Sequence, residues 1–262
     1  MNRDLLRATF DLLSALLLML FGTLAIGVPT IKLVYGSVES ISGFNASYSG
    51  RLNTLFANNS SVGVLAICVA EGNCRADGRK TRNYLSNLDP GNGVINRGWC
   101  SDQGRGGTNL QKADAGCLRR TQSRIPRLVQ RMQRVGLNPE HYVEAFVNAA
   151  DLWNQASPRV SDAFPNAYRI ALTQGFQGQE AILWARVEAF RDYSGNLSAG
   201  NINLKRGVYR GLFGICANRR NTYYRSRLKA YPLMSERWRW SCIALDQKRR
   251  VQAIKSVFTK TS

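Results

Sequence analysis

The chain has 262 residues, 44% of them hydrophobic, enough for one sizeable globular domain and a small appendage. Lys and Arg number 36 against 17 Asp and Glu, a net charge of +19 that points to anionic partners: nucleic acid, anionic lipid or an acidic cell-wall polymer. A single histidine, His141, and six cysteines without a C-x-x-C pair exclude a structural zinc site, and exclude Ser-His-Asp or Cys-His catalysis unless His141 itself serves.

Residues 1–31 balance Arg3 and Arg7 with Asp4 and Asp11, so the whole charge excess lies beyond them. From Leu12 to Ile31 twenty positions carry no charge, long enough to cross the hydrocarbon core as a helix. A cleaved signal peptide is the competing reading, with Arg3 and Arg7 as its basic region. The residues after the run, Lys32-Leu33-Val34-Tyr35-Gly36, offer no cleavage site, so a retained anchor over residues 1–36 is expected. The arginines before the run place the N-terminus inside, and the rest of the chain in the periplasm or outside the cell. Cys68, Cys74, Cys100, Cys117, Cys216 and Cys242 fit that compartment as up to three disulfides, whose pairing the sequence leaves open.

Residues 37–59 are rich in Ser, Asn and Gly and read as a linker. A mainly α domain is expected over residues 60–262. Ser60 or Ser61 caps an apolar helix running to about Glu71, with Gly72 as its stop. Residues Asn73 to Gly116 read as loop, with Asn92-Gly93 as a hairpin turn. Ile125, Leu128, Val129, Met132 and Val135 then share one helical face, with Pro126 near the start. Asn138-Pro139 opens the next helix, and His141 in its first turn reads as a solvated surface residue. Further helices are expected near Asp162–Thr173, Gln179–Arg191, Asn218–Lys229 and Glu236–Phe258.

Opposite the apolar face of the Ile125 helix stand Arg124, Arg127, Arg131 and Arg134, with no interleaved glutamate. Such a stripe is either the wet side of an amphipathic helix or a surface that meets an anion. Trp238-Arg239-Trp240 and Tyr223-Tyr224-Arg225 mix rings with cations in a way that suits sugars or bases, although most of these rings are expected in the core.

Glu71 is the odd residue. A negative charge at the carboxyl end of an apolar helix opposes the macrodipole and is poorly solvated, and both effects favour the protonated form. That form is what a glycosidase needs in order to protonate a leaving oxygen. The plain alternative is a solvated carboxylate paired with Arg75, Arg79 or Arg82. By the same logic, Glu71→Gln should hold or raise stability.

The stretch Val64 to Gly98 resembles the lysozyme-like fold of bacterial and phage muramidases. Ala70-Glu71-Gly72, then Tyr84, then Asp89-Pro90-Gly91-Asn92 is similar to their Ala-Glu-Gly, spacer and Tyr-x-x-His-x-Asp-Pro-Gly-Asn. Asn87 stands where the histidine is expected, the Glu-to-Asp spacing is longer than in phage-type lysozymes, and Gly91 to Gly98 is the one candidate for their Thr-x-Gly-x-Gly hairpin. The resemblance implies a lysozyme-like helical domain with a small loop or β-hairpin section. It makes Glu71 the general acid, Asp89 the group that places water, and Tyr84 a wall of the sugar groove. Asn87, Asn92, Trp99, Arg127 and Arg131 complete the expected substrate-binding set. The implied activity is a membrane-anchored cleavage of the β-1,4 glycan of peptidoglycan, by hydrolysis or lytic transglycosylation, with no metal or cofactor. A non-catalytic wall-binding protein is the main alternative. A nucleic-acid binder is the weaker one, since no zinc finger, RRM-like or helix-turn-helix signature is present.

Overall fold

The structure, a computed structural model, describes residues 50–89, 93–203 and 206–261. The uncharged run Leu12–Ile31 and most of the expected linker lie outside those residues. Among the described residues no helix is long and apolar enough to cross a membrane. They form a mainly helical body with ten helices and two antiparallel hairpins of two strands each.

The body begins before residue 60. Helix α1 (Arg51–Leu55) buries Leu52 and Leu55, and Phe56 follows them into the core. Three apolar residues scattered through a polar segment gave no legible stripe, which is why the segment reads as linker. Helix α2 (Val62–Ala70) buries Val64, Ala66, Ile67, Cys68 and Ala70, as a helix with no polar stripe must. Gly72, at φ 77°, stops it: the N–H groups of Gly72 and Asn73 return to the carbonyls of Val69 and Cys68. That left-handed cap strains any residue with a Cβ.

The loop-rich section holds α3 (Arg82–Leu85) and a hairpin of β1 (Asn87–Leu88) and β2 (Ile95–Asn96), paired Asn87 to Asn96 and Leu88 to Ile95. Gly93 has φ 74° in the turn between them, as the Asn92-Gly93 reading expects, and Asn92 lies outside the described residues. Two buried carboxylates organise this section from inside. Asp114 accepts from the Trp99 backbone at 3.0 Å and from the Tyr84 hydroxyl, and Asp102 accepts from the backbone N–H of Arg97 at 2.9 Å and Gly106 at 2.8 Å.

All six cysteines are paired, Cys68–Cys74, Cys100–Cys117 and Cys216–Cys242. The first bridge brackets Glu71. The second ties the loop after β2 to α4 (Leu110–Arg134).

Helix α4 starts well before the expected Ile125, and Pro126 lies in its interior. Its first half buries only the small side chains Ala113, Cys117 and Thr121 among the apolar-compatible positions, so no apolar periodicity marks it. Helices α5 (Val143–Gln155), α6 (Pro158–Thr173) and α7 (Gly178–Glu188) pack in succession around Phe146, Leu152, Phe164 and Ile182. A second hairpin, β3 (Gly200–Asn203) with β4 (Val208–Arg210), was not foreseen from the sequence. The helix expected over Asn218–Lys229 is the shorter α9 (Thr222–Leu228), and a separate helix, α8 (Gly211–Ala217), precedes it. Helix α10 (Glu236–Thr261) packs against α2, α5, α7, α8 and α9, and the Cys216–Cys242 bridge joins it to α8.

Candidate functional site

Glu71 caps α2 at the wall of a cavity of about 490 Å³, and Asn87 and Asp89 from the first hairpin line the same cavity. Helix α10 supplies Asp246, Arg249 and Arg250 to it, and α5 supplies Gln155. The lining is therefore mostly carboxylates, amides and guanidinium groups. Planar polar groups of this kind suit a ligand dense in hydroxyls.

Glu71 is not an isolated helix-end carboxylate. Its side chain is 11% exposed, and its Oε1 accepts from Arg250 Nη1 at 3.0 Å and Asn154 Nδ2 at 2.8 Å. Among the described residues both hydrogen bonds end on Oε1, and Oε2 receives none. The partner is thus Arg250, far along the chain, rather than Arg75, Arg79 or Arg82. Arg249 Nη1 donates to the Ala70 carbonyl at 2.8 Å and brings a positive charge to the negative end of α2.

Behind Glu71 lies a buried network. Arg250 Nη1 also meets Asp151 at 2.9 Å, and Arg186, with a fully buried side chain, meets the other Asp151 oxygen at 2.6 Å. Arg186 further donates to Gln247 at 2.6 Å and to Gln155 at 3.0 Å, while Gln155 donates to Asp246 at 2.6 Å. Three carboxylates, Glu71, Asp151 and Asp246, thereby face three guanidinium groups, Arg186, Arg249 and Arg250. Burial works against the Arg250 charge, but Asp151, Glu71 and Asp246 outweigh it and hold its pKa above the usual arginine value. Burial likewise opposes the Asp151 charge, and Arg250 and Arg186 more than offset it, so its pKa falls below the usual carboxylate value.

The structure separates the expected binding residues. Asn87 joins Glu71 and Asp89 at the cavity. Tyr84 does not: it is buried, with its hydroxyl on Asp114, and burial followed by that hydrogen bond pushes its pKa well above the ordinary tyrosine range. Trp99 is 2% exposed, and its indole N–H donates to Asn59 at 3.2 Å and to the Asp114 carbonyl at 3.3 Å. It is a core residue, tied to α4 through Asp114. Arg127 and Arg131 lie elsewhere. With Arg124 they converge on Asp162 of α6, at 2.6 Å for Arg127, 3.9 Å for Arg131 and 3.4 Å for Arg124. The stripe that lacked an acid on its own helix finds one on another. His141 is exposed, as expected.

Asp246, Gln155, Arg249 and Arg250 were missed, yet α10 carried a signal. Trp238, Cys242, Asp246, Arg250 and Ile254 follow each other at i+4 spacing, and all five are buried. A charged pair set into an apolar stripe must find partners inside.

Two further cavities meet this one at Gly211. One, of about 290 Å³, shares Gln155, Gly211 and Leu212 with it, and the other, of about 440 Å³, shares Gly211 and Ile215. Gly211 has φ 64° and lies against Gly200, where a Cβ would come within 2.8 Å of the Ala199 carbonyl oxygen. The three cavities adjoin at Gly211 as one trough, and Glu71 lines its 490 Å³ part. No protein-family model matches the chain, and no similar curated protein or solved structure was found.

Proposed function

We propose that the chain cleaves the glycan strands of peptidoglycan, with Glu71 as the acid and base. The observation that supports this best is the meeting of Glu71 and Asp89 on one polar cavity. They come from different elements, a helix end and a hairpin, as two groups acting from two sides of a bond require. The trough through Gly211 suits an extended strand.

In this reading Glu71 Oε2 carries the proton. It passes to the bridging oxygen as the bond from that oxygen to the anomeric carbon breaks, and the bonding electrons leave with the oxygen. Asn154 and Arg250 fix Oε1, and the Arg250 charge stabilises the carboxylate left behind. In hydrolysis Asp89 places the water that adds to the anomeric carbon, and Glu71 takes up the water's proton. In transglycosylation a hydroxyl of the same sugar adds instead, its proton passes to Glu71, and no water is consumed.

A second reading draws on the same ion pair. A Glu71 paired with Arg250 serves a non-catalytic wall-binding protein equally well. Glu71→Gln in the full-length protein separates the two. The enzyme reading expects glycan cleavage, measured on purified peptidoglycan, to fall roughly 10²-fold to 10⁴-fold, with binding retained. Product masses give the outcome, since hydrolysed ends are one water heavier than cyclised ends. Wild-type protein that binds walls and cleaves nothing would sink the enzyme reading. The Arg250 contact also reverses the stability expectation: the substitution should lower stability by about 1–2 kcal/mol.

A further inference from the structure

Between Asp192 and Glu236 the chain carries eight Lys and Arg and no Asp or Glu. Seven of the eight fall on described residues, and all seven are exposed. Among the described residues no ion pair reaches any of them. The arginine stripe of α4 is different, because Asp162 neutralises part of it. An uncompensated cluster repels itself, so its presence calls for a reason beyond folding.

Position supplies the reason. Arg219 and Arg220, in the turn between α8 and α9, line the 440 Å³ cavity that joins the Glu71 cavity at Gly211 and Ile215. Arg219 continues into another cavity of about 250 Å³, whose wall adds Arg225, Lys229 and Tyr231. One arm of the trough is therefore lined by cations that have no acid of their own. Solvation alone would leave such cations on a convex face; these line a concavity that leads away from the candidate acid. A guanidinium fork matches the oxygens of carboxylates and phosphates.

We infer that Arg219, Arg220, Arg225 and Lys229 read anionic substituents on the strand, to one side of the cleavage point. The preferred ligand is a glycan strand bearing carboxylates, from attached peptides, or phosphates, from attached polymers, over the same glycan stripped bare. This rests on the glycan-cleaving reading for the strand, but the preference itself is a binding property and can be tested apart from cleavage.

The test uses full-length Glu71→Gln protein, so that strands stay intact. Binding is measured to peptide-bearing strands, to strands bearing a phosphate polymer, to stripped strands and to duplex DNA, at low and physiological salt. Anion-bearing strands of one or both kinds should bind more tightly than stripped ones, and the two arms name the source of the charge. Adding Arg219→Gln and Arg220→Gln should shrink that preference about fivefold to tenfold, the sum expected of two exposed contacts, whereas removing the same charge at Arg169 and Lys255 should leave it in place. The preference should also weaken as salt screens it. Equal binding to bare and anion-bearing strands overturns the inference, as does an unchanged preference in the double variant. Tighter binding to DNA than to any strand overturns it too, in favour of a nucleic-acid surface. Cleavage by protein with Glu71 intact is scored separately. If no strand is cut while the binding preference stands, the enzyme reading falls and this one remains.

Discussion

Arg250 and Arg219 lie on the same side of the chain's sequence and in the same trough, yet their surroundings are opposite. Arg250 is almost sealed from solvent and has Glu71 and Asp151 in direct contact. Arg219 is exposed and has no ion-pair partner among the described residues. A buried charge without counterions would cost several kcal/mol, so Arg250 brings its carboxylates with it. An exposed charge costs little alone, so nothing in the fold has to answer Arg219. The first cluster serves the structure whatever else it does. The second is free to serve a ligand.

That contrast breaks most visibly at Asp151. Asp151→Asn leaves Arg186 and Arg250 short of a counterion in the interior, and denaturant unfolding should show a loss of about 3–5 kcal/mol. The sign of the pH effect follows from the lowered Asp151 pKa. Its contribution is complete above the unfolded value of about 3.9 and is lost as pH falls through the lower folded value. Wild type should therefore lose stability below about pH 4, and the variant should show a shallower fall. An Asp151→Asn protein as stable as wild type would show the network to be dispensable.

A smaller effect belongs to Asp162→Asn. It frees Arg124 and Arg127 from their shared acid and should cost roughly 0.2–1 kcal/mol. It also makes a second uncompensated surface, on α4, away from the Glu71 cavity. Glycan preference should not change, and a gain comparable to the Arg219 arm would mean that any cation cluster suffices. The smallest change is expected for Arg219→Gln with Arg220→Gln, whose unfolding free energy should stay within about 0.5 kcal/mol of wild type. A larger loss would show that the arm is structural after all.

These differences also mark what the sequence could carry. The apolar α2, its stop at Gly72 and the long apolar stripes of α5 and α10 were legible, because each is decided by neighbours within a few residues. So was the approach of Asn87 and Asp89 to Glu71, through the resemblance rather than through spacing. Partners set by the tertiary fold were not legible. Nothing near Glu71 announces Arg250, and nothing on α4 announces Asp162. Tyr84 and Trp99 look like sugar-facing rings in sequence, but Asp114 turns both inward, and Asp114 lies within the polar first half of α4 that gave no helical signal. The short β3–β4 hairpin lacks the alternation that marks a strand, since none of its residues is buried.

Gly211 ties these parts together without a side chain. The trough changes compartment where β4 passes into α8, and there Gly200 and Gly211 pair in an antiparallel bridge that leaves no room for a Cβ on either. The exposed cationic arm tolerates graded change, one rotamer or one charge at a time. The junction does not, because every replacement at Gly211 begins with a Cβ that meets the Ala199 carbonyl and Gly200 Cα at 2.8 Å. Evolutionary drift can therefore retune what the trough binds far more easily than it can alter where the trough bends, and a single-base change at this codon could wedge the hairpin from α8 while leaving Glu71 and its partners intact.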